Sequence, residues 1–499
     1  MKFWTKSIAG TLCVLLLSIS NVQAAETFPL EPTEKVYQFL TENHLSRPQE
    51  PQLVKGALKG VTEEAAKVKH ITLTSVAEDD TMGELETRLL DWHTKQGLDW
   101  DELNRWAIDG MIDTLNDPYT NYFSKEQLKG FQSAVENEFV GFGVRFRIVN
   151  GEFAVKEVIP DSPAAKAMMK TGDIVLSVDS FRLSGKTLEE VYKGLKGEEG
   201  TKAIFHIYRP SLKKNMDIML TREALVLPEV SAKRFQQSIG YISLTTFGSE
   251  AGTQFRDGLN KIMSQNPQLQ GLIIDLRDNS GGYLSAARDV ASLFMEDGLL
   301  MYTEDRSGIQ IETWVHNGRT VDFPVRILVN QGTASASELL SGALRDNGKA
   351  KLVGSKTFGK GVAQQIIPFE DGNALKITLQ EYFTPKHTEV NHIGLTPDIV
   401  VKDDTAQVIE ALRSLDVKRF DIREILGEGI SINGVDFYSA SPIFQKGKQG
   451  VSIRKGVLAS LLGKPELEGD GYINLAPYLG KQMSLHSSDG QTALSYQAK

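Results

Sequence analysis

The 499-residue chain predicts a multidomain α/β protein. Three observations lead there. Apolar runs at 270–277 and 324–330 each end in a glycine-containing turn and lead into a helical pattern, the strand–turn–helix signature of an α/β core. Residues 139–208 alternate apolar and polar around an Asn150-Gly151 turn, as β-hairpins do. Residues 34–115 carry apolar side chains at helical spacing instead. At this length roughly three or four domains are expected.

The first 24 residues read as a signal peptide. Lys2 and Lys6 precede an apolar stretch over 8–19, and Asn21-Val-Gln-Ala-Ala25 supplies small residues for a cut after Ala24. The stretch is shorter than the roughly 20 residues a spanning helix needs. Export is therefore expected, with membrane anchoring the outcome if the segment stays uncleaved. Cys13 is the single cysteine, so cleavage removes disulfide and thiol chemistry together. Loss of Lys2 and Lys6 takes the formal charge from −9 to −11. An acidic chain without a basic run excludes nucleic acid as a partner. The eight histidines are scattered, with no HExxH and no Cys/His cluster, so neither metal nor cofactor is expected. His387 and His392 read as surface or packing residues.

Helical segments are expected at 34–41, 52–61, 85–95 and 100–115, within an N-terminal helical region spanning 25–135. A β-rich unit follows over 136–223. Its strand 139–148 turns at Asn150-Gly151 and returns over 153–159, and Pro160-Asp-Ser-Pro163 opens a short helix. A strand at 172–178, a helix at 187–195 and a strand at 203–208 complete it.

The core, 224–402, carries the chemistry. Ser335 sits between the apolar strand 324–330 and a helix over 337–345 that Asn347-Gly348 stops. Unpaired N–H groups at a helix entry favour developing negative charge, so the amide of Ala336 is half of an oxyanion hole. Asp278-Asn-Ser-Gly-Gly282 follows the other strand, and Gly281 is the candidate second donor. Serine is a poor nucleophile until a base takes its proton, and a lysine kept neutral by burial can be that base. Lys360, between Gly359 and Gly361, is the candidate, with Gln364 placed to hold its amine. Serines also cap helices, and Ser337 is both the better simple cap and the rival nucleophile.

The ordered motifs Ile239-Gly-Tyr-Ile242, Asp275-Leu-Arg-Asp-Asn-Ser-Gly-Gly282, Thr333-Ala-Ser-Ala-Ser-Glu338, Thr357-Phe-Gly-Lys-Gly361 and Gly394-Leu-Thr-Pro-Asp398 resemble the C-terminal processing peptidases, the tail-specific Ser/Lys proteases. The resemblance covers residues 117–401. It implies a crotonase-like β-spiral core, with Ser335 as nucleophile, Lys360 as general base, Gln364 as its orienting partner, and Gly281 and Ala336 as oxyanion donors. Asp278-Asn-Ser stands where the family often has Asn-Asn-Pro, and Val362-Ala363 where Ser-Val is common. Neither departure touches a catalytic group. The unit at 136–223 resembles a PDZ domain, which adds a peptide as an extra strand and holds its terminal carboxylate in a nest of backbone amides. Gly141, Phe142, Gly143 and Val144 are the nest this implies, although Ser180 replaces the glycine of the usual Val-x-Gly turn.

The resemblance implies unfolded or partly folded polypeptides as substrates, and a homodimer through the N-terminal helices. Residues 403–499 form a small α+β C-terminal appendage. It is similar to the copper amine oxidase N-terminal-like domain, which suggests cell-wall or protein contact. Two other classes share parts of this pattern. A catalytically silent PDZ adaptor has no use for Ser335, Lys360 and Gln364. A crotonase-like acyl-transfer enzyme needs neither the Ser/Lys pair nor the PDZ unit.

Overall fold

The computed structural model describes residues 30–73, 81–149, 151–236, 238–265, 268–425, 429–437, 439, 441–448, 450–488 and 491–498. The signal-peptide reading, Cys13 and Asn150 lie outside the described residues. The chain divides into two compact units, Met1–Tyr122 and Phe123–Lys499.

Helices Glu31–Asn43, Glu50–Glu64, Met82–Gln96 and Trp100–Asp113 stand in the first unit where apolar spacing puts them. Glycines set how two of them cross. A Cβ on Gly56 would lie 2.4 Å from Gly110 O, and one on Gly110 would lie 2.2 Å from Gly56 O. Helices Glu50–Glu64 and Trp100–Asp113 therefore meet at backbone distance, an approach any side chain would block.

The β-rich part of the second unit departs from its expected form at one point. The single strand expected over 139–148 is two. Glu138–Gly141 pairs antiparallel with Glu223–Val226 as a two-stranded stalk, and Val144–Val149 begins a separate sheet. The break is at Gly143, whose φ is +78° and where a Cβ would strike Ser162 at 2.1 Å. The sheet runs in the order Val144–Val149, Glu152–Val158, Ile174–Val178, Lys202–Arg209 and Lys214–Thr221. Its last strand had no counterpart among the expected elements. Helix Leu188–Leu195, closed at its start by a Thr187–Glu190 capping box, covers the sheet. Phe142, Phe146, Phe153 and Phe205 fill the core beneath.

The central sheet of the second unit is ordered Val230–Arg234, Ile239–Leu244, Gly271–Asp275, Val325–Val329, Ala350–Gly354 and Ile399–Val400. All neighbours are parallel except the first pair. Every residue of Gly271–Asp275 and Val325–Val329 is buried, which is why both read as unbroken apolar runs. These two strands are neighbours, so both glycine-containing turns emerge side by side at the carboxyl edge of the sheet. A second sheet brings Val362–Pro368, Ala374–Phe383, Gly298–Asp305 and Gln310–Val315 together antiparallel.

Residues after 403 do not keep a core of their own. Val408, Leu412, Phe420, Ile422, Leu458 and Leu494 share one apolar cluster with Ile239, Ile273, Leu328 and Val353 of the central sheet. The segment over 417–429 holds the strand Arg419–Ile425 at the centre of a five-stranded antiparallel sheet. Among the described residues, no helix is long and apolar enough to cross a membrane, and no cluster of His, Cys, Asp or Glu could hold a metal ion.

Candidate active site

Ser335 occupies a sharp strand-to-helix elbow. Strand Val325–Val329 ends in the turn 330–334, and helix Ala336–Asp346 begins directly after the serine. Its backbone sits at φ 55°, ψ −119°, a conformation L-residues avoid, at a cost of about 1–3 kcal/mol. Such strain persists only where neighbours over-determine it, and here they can be named. Tyr382 Oη lies 3.1 Å from Ser335 O and 2.7 Å from Lys360 O. The Ser335 N–H donates to Glu338 Oε2 at 3.0 Å.

Glu338 is the hub of the site. It is fully buried, and its carboxylate accepts four hydrogen bonds. Thr357 Oγ1 (2.5 Å) and Gly359 N (2.8 Å) donate to Oε1, while Ser335 N (3.0 Å) and Lys360 N (2.9 Å) donate to Oε2. One carboxylate oxygen thus fixes the backbones of both the candidate nucleophile and the candidate base. Burial pushes this carboxyl above its ordinary range, and the four donors pull it back part of the way. The sequence carries a local signal for this residue. Ser-x-x-Glu at 335–338 is capping-box spacing, and here the glutamate satisfies a second loop as well as the helix start.

The lysine loop is pressed against 391–394. Gly359 has φ +95°, and a Cβ on Gly361 would lie 2.3 Å from Asn391 N. Lys360 and Gln364 are both half-buried. Gln364 follows a β-bulge in Val362–Pro368, and its Nε2 donates to Thr378 Oγ1 at 3.4 Å.

The two turns are tied to each other. Asn330 Oδ1 accepts from Asp278 N, and Asn330 Nδ2 donates to Asp278 Oδ1, both at 2.9 Å. Asn279 is fully buried; its carbonyl accepts from Ala334 N at 3.0 Å and from Ser337 Oγ at 2.9 Å. Ser337 is thereby spent on structure, and Ser335 alone of the rivals stands at the elbow. A Cβ on Gly281 would lie 2.8 Å from Ser335 Cβ and 3.0 Å from Ala336 N. Gly281 and Ala336 therefore flank the serine. The N–H of Gly281, however, donates to Asn279 Oδ1 at 2.9 Å, so in this conformation it is committed inside its own turn.

Gly141, Phe142, Gly143 and Val144 line a cavity of about 380 Å³, walled on its far side by Tyr192 and Leu195 of helix Leu188–Leu195. Arg222 adds a cation that the sequence reading did not select. Its guanidinium lies 4.6 Å over the Phe142 ring and is fixed by Nε to Leu195 O (3.0 Å) and Nη1 to Thr201 Oγ1 (2.8 Å).

Where the stalk meets the core, two carboxylates face one loop. Glu136 accepts from Ser249 N (3.0 Å) and Ser249 Oγ (2.8 Å). Glu229 is buried beside it, with Oε2 lacking a hydrogen-bond partner. Burial, and then the charge of Glu136, push the Glu229 carboxyl up to about 7. Between pH 4.5 and 7 the folded protein holds a proton that the unfolded chain has released, so stability falls as pH rises through that window. Glu229→Gln is expected to remove this slope and to stabilise the protein by about 2 kcal/mol above pH 7. Denaturant melts at pH 5 and pH 8 check it; equal gains at both would assign the effect to packing.

Residues 238–401 match peptidase family S41, and residues 140–220 match a PDZ domain. A carboxyl-terminal-processing protease of Synechocystis sp. is 34% identical over 333 residues, covering 65% of this chain and 77% of the relative. A protein of Staphylococcus aureus (strain COL) described as a probable CtpA-like serine protease is 34% identical over 326 residues. The match covers 64% of this chain and 64% of the length of that relative. The solved structure of a photosystem II D1 C-terminal processing protease overlaps 75% of this chain and 94% of its own at 23% identity, with a TM-score of 0.44, too low to add to the assignment. The sequence matches suffice, and the chain belongs to peptidase family S41 and carries a PDZ domain.

Proposed function

We propose that this protein is an exported serine endopeptidase that captures the free C-terminus of unfolded polypeptides in its PDZ groove and cleaves the chain upstream of it. The observation that carries the reading is the shared carboxylate of Glu338, which holds the strained elbow of Ser335 and the separate loop of Lys360 by their backbones. In the reaction, Ser335 Oγ attacks the scissile carbonyl as its proton passes to the neutral Lys360 amine, which Gln364 orients. The tetrahedral oxyanion is held by the Ala336 N–H, and by that of Gly281 once it turns from Asn279 Oδ1. Lysine then returns the proton to the leaving amine, and water releases the acyl group from serine. Arg222, beside the nest, draws the tail carboxylate inward.

The test is cleavage of an unfolded protein made with a free and with an amidated C-terminus, followed by mass spectrometry for this protein and for Ser335→Ala. The free form is expected to be cut by the parent alone, and amidation to lower kcat/KM about 10- to 100-fold, the worth of charge-assisted hydrogen bonds to the carboxylate. Equal cutting of both forms would remove tail capture, and cutting by Ser335→Ala would remove the nucleophile.

A further inference from the structure

One hydrogen bond spans the groove between its two walls. Strand Val144–Val149 is the outer strand of its sheet, so alternate residues turn their N–H and C=O groups away from Glu152–Val158 and into the groove. Phe146 is one of these. Its N–H donates to Tyr192 Oη at 2.9 Å. Tyr192 belongs to the opposite wall, helix Leu188–Leu195, and its ring centroid lies 5.9 Å from that of Phe146. It is 40% exposed, so the ring has space to swing toward solvent.

A tail with its carboxylate at Gly141–Val144 runs antiparallel to Val144–Val149. Because hydrogen-bonded pairs recur every second residue, the residue two before the tail's last one falls opposite Phe146. Its carbonyl needs the N–H that the tyrosine hydroxyl now holds. We propose that Tyr192 is an internal competitor for the groove, whose hydroxyl must be displaced by the tail's own backbone and which therefore sets the affinity for tails. This rests on the reading of the groove as a tail site. The exchange swaps one neutral hydrogen bond for another, so that rung of the ladder adds little net affinity. Only a ligand that also supplies a carboxylate to the nest gains enough to open the groove. An internal segment of extended chain offers the carbonyl without the carboxylate, and the hydroxyl keeps it out.

The experiment uses the full chain carrying Ser335→Ala, so that bound peptide survives. A short labelled peptide ending in valine, with a free or an amidated terminus, is titrated by fluorescence anisotropy. Adding Tyr192→Phe keeps the ring and removes the competitor. It is expected to bind the free-ended peptide about 3- to 10-fold more tightly, the worth of one neutral hydrogen bond. Exchange of the Phe146 amide proton without peptide should also speed up. Tyr192→Ala removes the wall together with the hydroxyl and should bind less tightly than Tyr192→Phe. Free-ended peptide binding equally or more weakly to Tyr192→Phe than to its parent overturns the inference while leaving the groove as tail site. Failure of both proteins to prefer the free end over the amide overturns the groove reading, and this inference with it.

Discussion

Lys360→Ala is expected to abolish turnover, by about 10⁴-fold or more, while the protein stays folded. The two halves of that expectation have separate grounds. Lys360 is held by its main chain, through N–H to Glu338 Oε2 and O from Tyr382 Oη, and alanine keeps both contacts. Truncating a half-buried side chain on such a loop should shift stability by no more than about 1 kcal/mol. Loss of activity is expected because the amine is the proposed base, and the carboxylate that fixes the Ser335 backbone fixes the Lys360 backbone as well. Lys360→Arg should fail equally, since a guanidinium does not give up its proton. Ser335→Ala should match Lys360→Ala, and the double variant should be no worse than either, as residues acting in one proton transfer are not additive. Kinetics on a quenched peptide beside thermal melts decide it. A Lys360→Ala enzyme retaining more than about a tenth of its kcat/KM would show that another group takes the proton.

The parts of this site that sequence made visible are those whose chemistry is local. Strands 271–275 and 325–329 announce themselves because burial on both faces leaves no polar position in them. Ser335, Gly281 and Ala336 follow from where those strands end. The helices of the first unit are legible for the same reason, as amphipathic spacing and burial are one fact seen twice. What was illegible depends on partners far away in the chain. Tyr382 joins Ser335 and Lys360 from a strand 47 and 22 positions off, and nothing in Glu-Tyr-Phe at 381–383 points there. Nothing in the residues around Arg222 singles it out until the fold lays it on Phe142. Gly281 lies beside the serine, yet the present acceptor of its N–H, Asn279 Oδ1, is a choice of turn conformation that residue types do not encode. The same limit explains the tail of the chain. Its apolar positions were visible, but a cluster shared with Ile273 and Leu328 requires the sheet to be in place first. The strand expected over 139–148 erred for a related reason: alternation continues unbroken across Gly143, whose positive φ separates stalk from groove.

The second large effect falls on Glu338, a fully buried carboxylate expected to act through the two residues whose backbones it holds. Glu338→Ala leaves four buried or half-buried donors without an acceptor, at about 1 kcal/mol or more each, so a loss of roughly 3–6 kcal/mol is expected. Glu338→Gln is no rescue. Each carboxylate oxygen accepts two donors, so whichever is replaced by an NH₂ group is turned against two N–H or O–H groups. Charge and shape are both required, and an isostere that keeps the shape loses half the acceptors. Because either variant could unfold, Tyr382→Phe is the gentler probe of the same clamp. It keeps the buried ring and removes only the hydroxyl between Ser335 O and Lys360 O, costing about 1 kcal/mol. If the clamp sets the distance from nucleophile to base, kcat should fall about 10-fold or more with KM nearly unchanged, because positioning acts on the chemical step rather than on capture of the tail. A merely structural hydroxyl would lower the melting temperature and leave kcat of the folded enzyme where it was. The strained φ of Ser335 makes the first outcome the expected one: a backbone held about 1–3 kcal/mol above its relaxed conformation moves when one of its few restraints is cut.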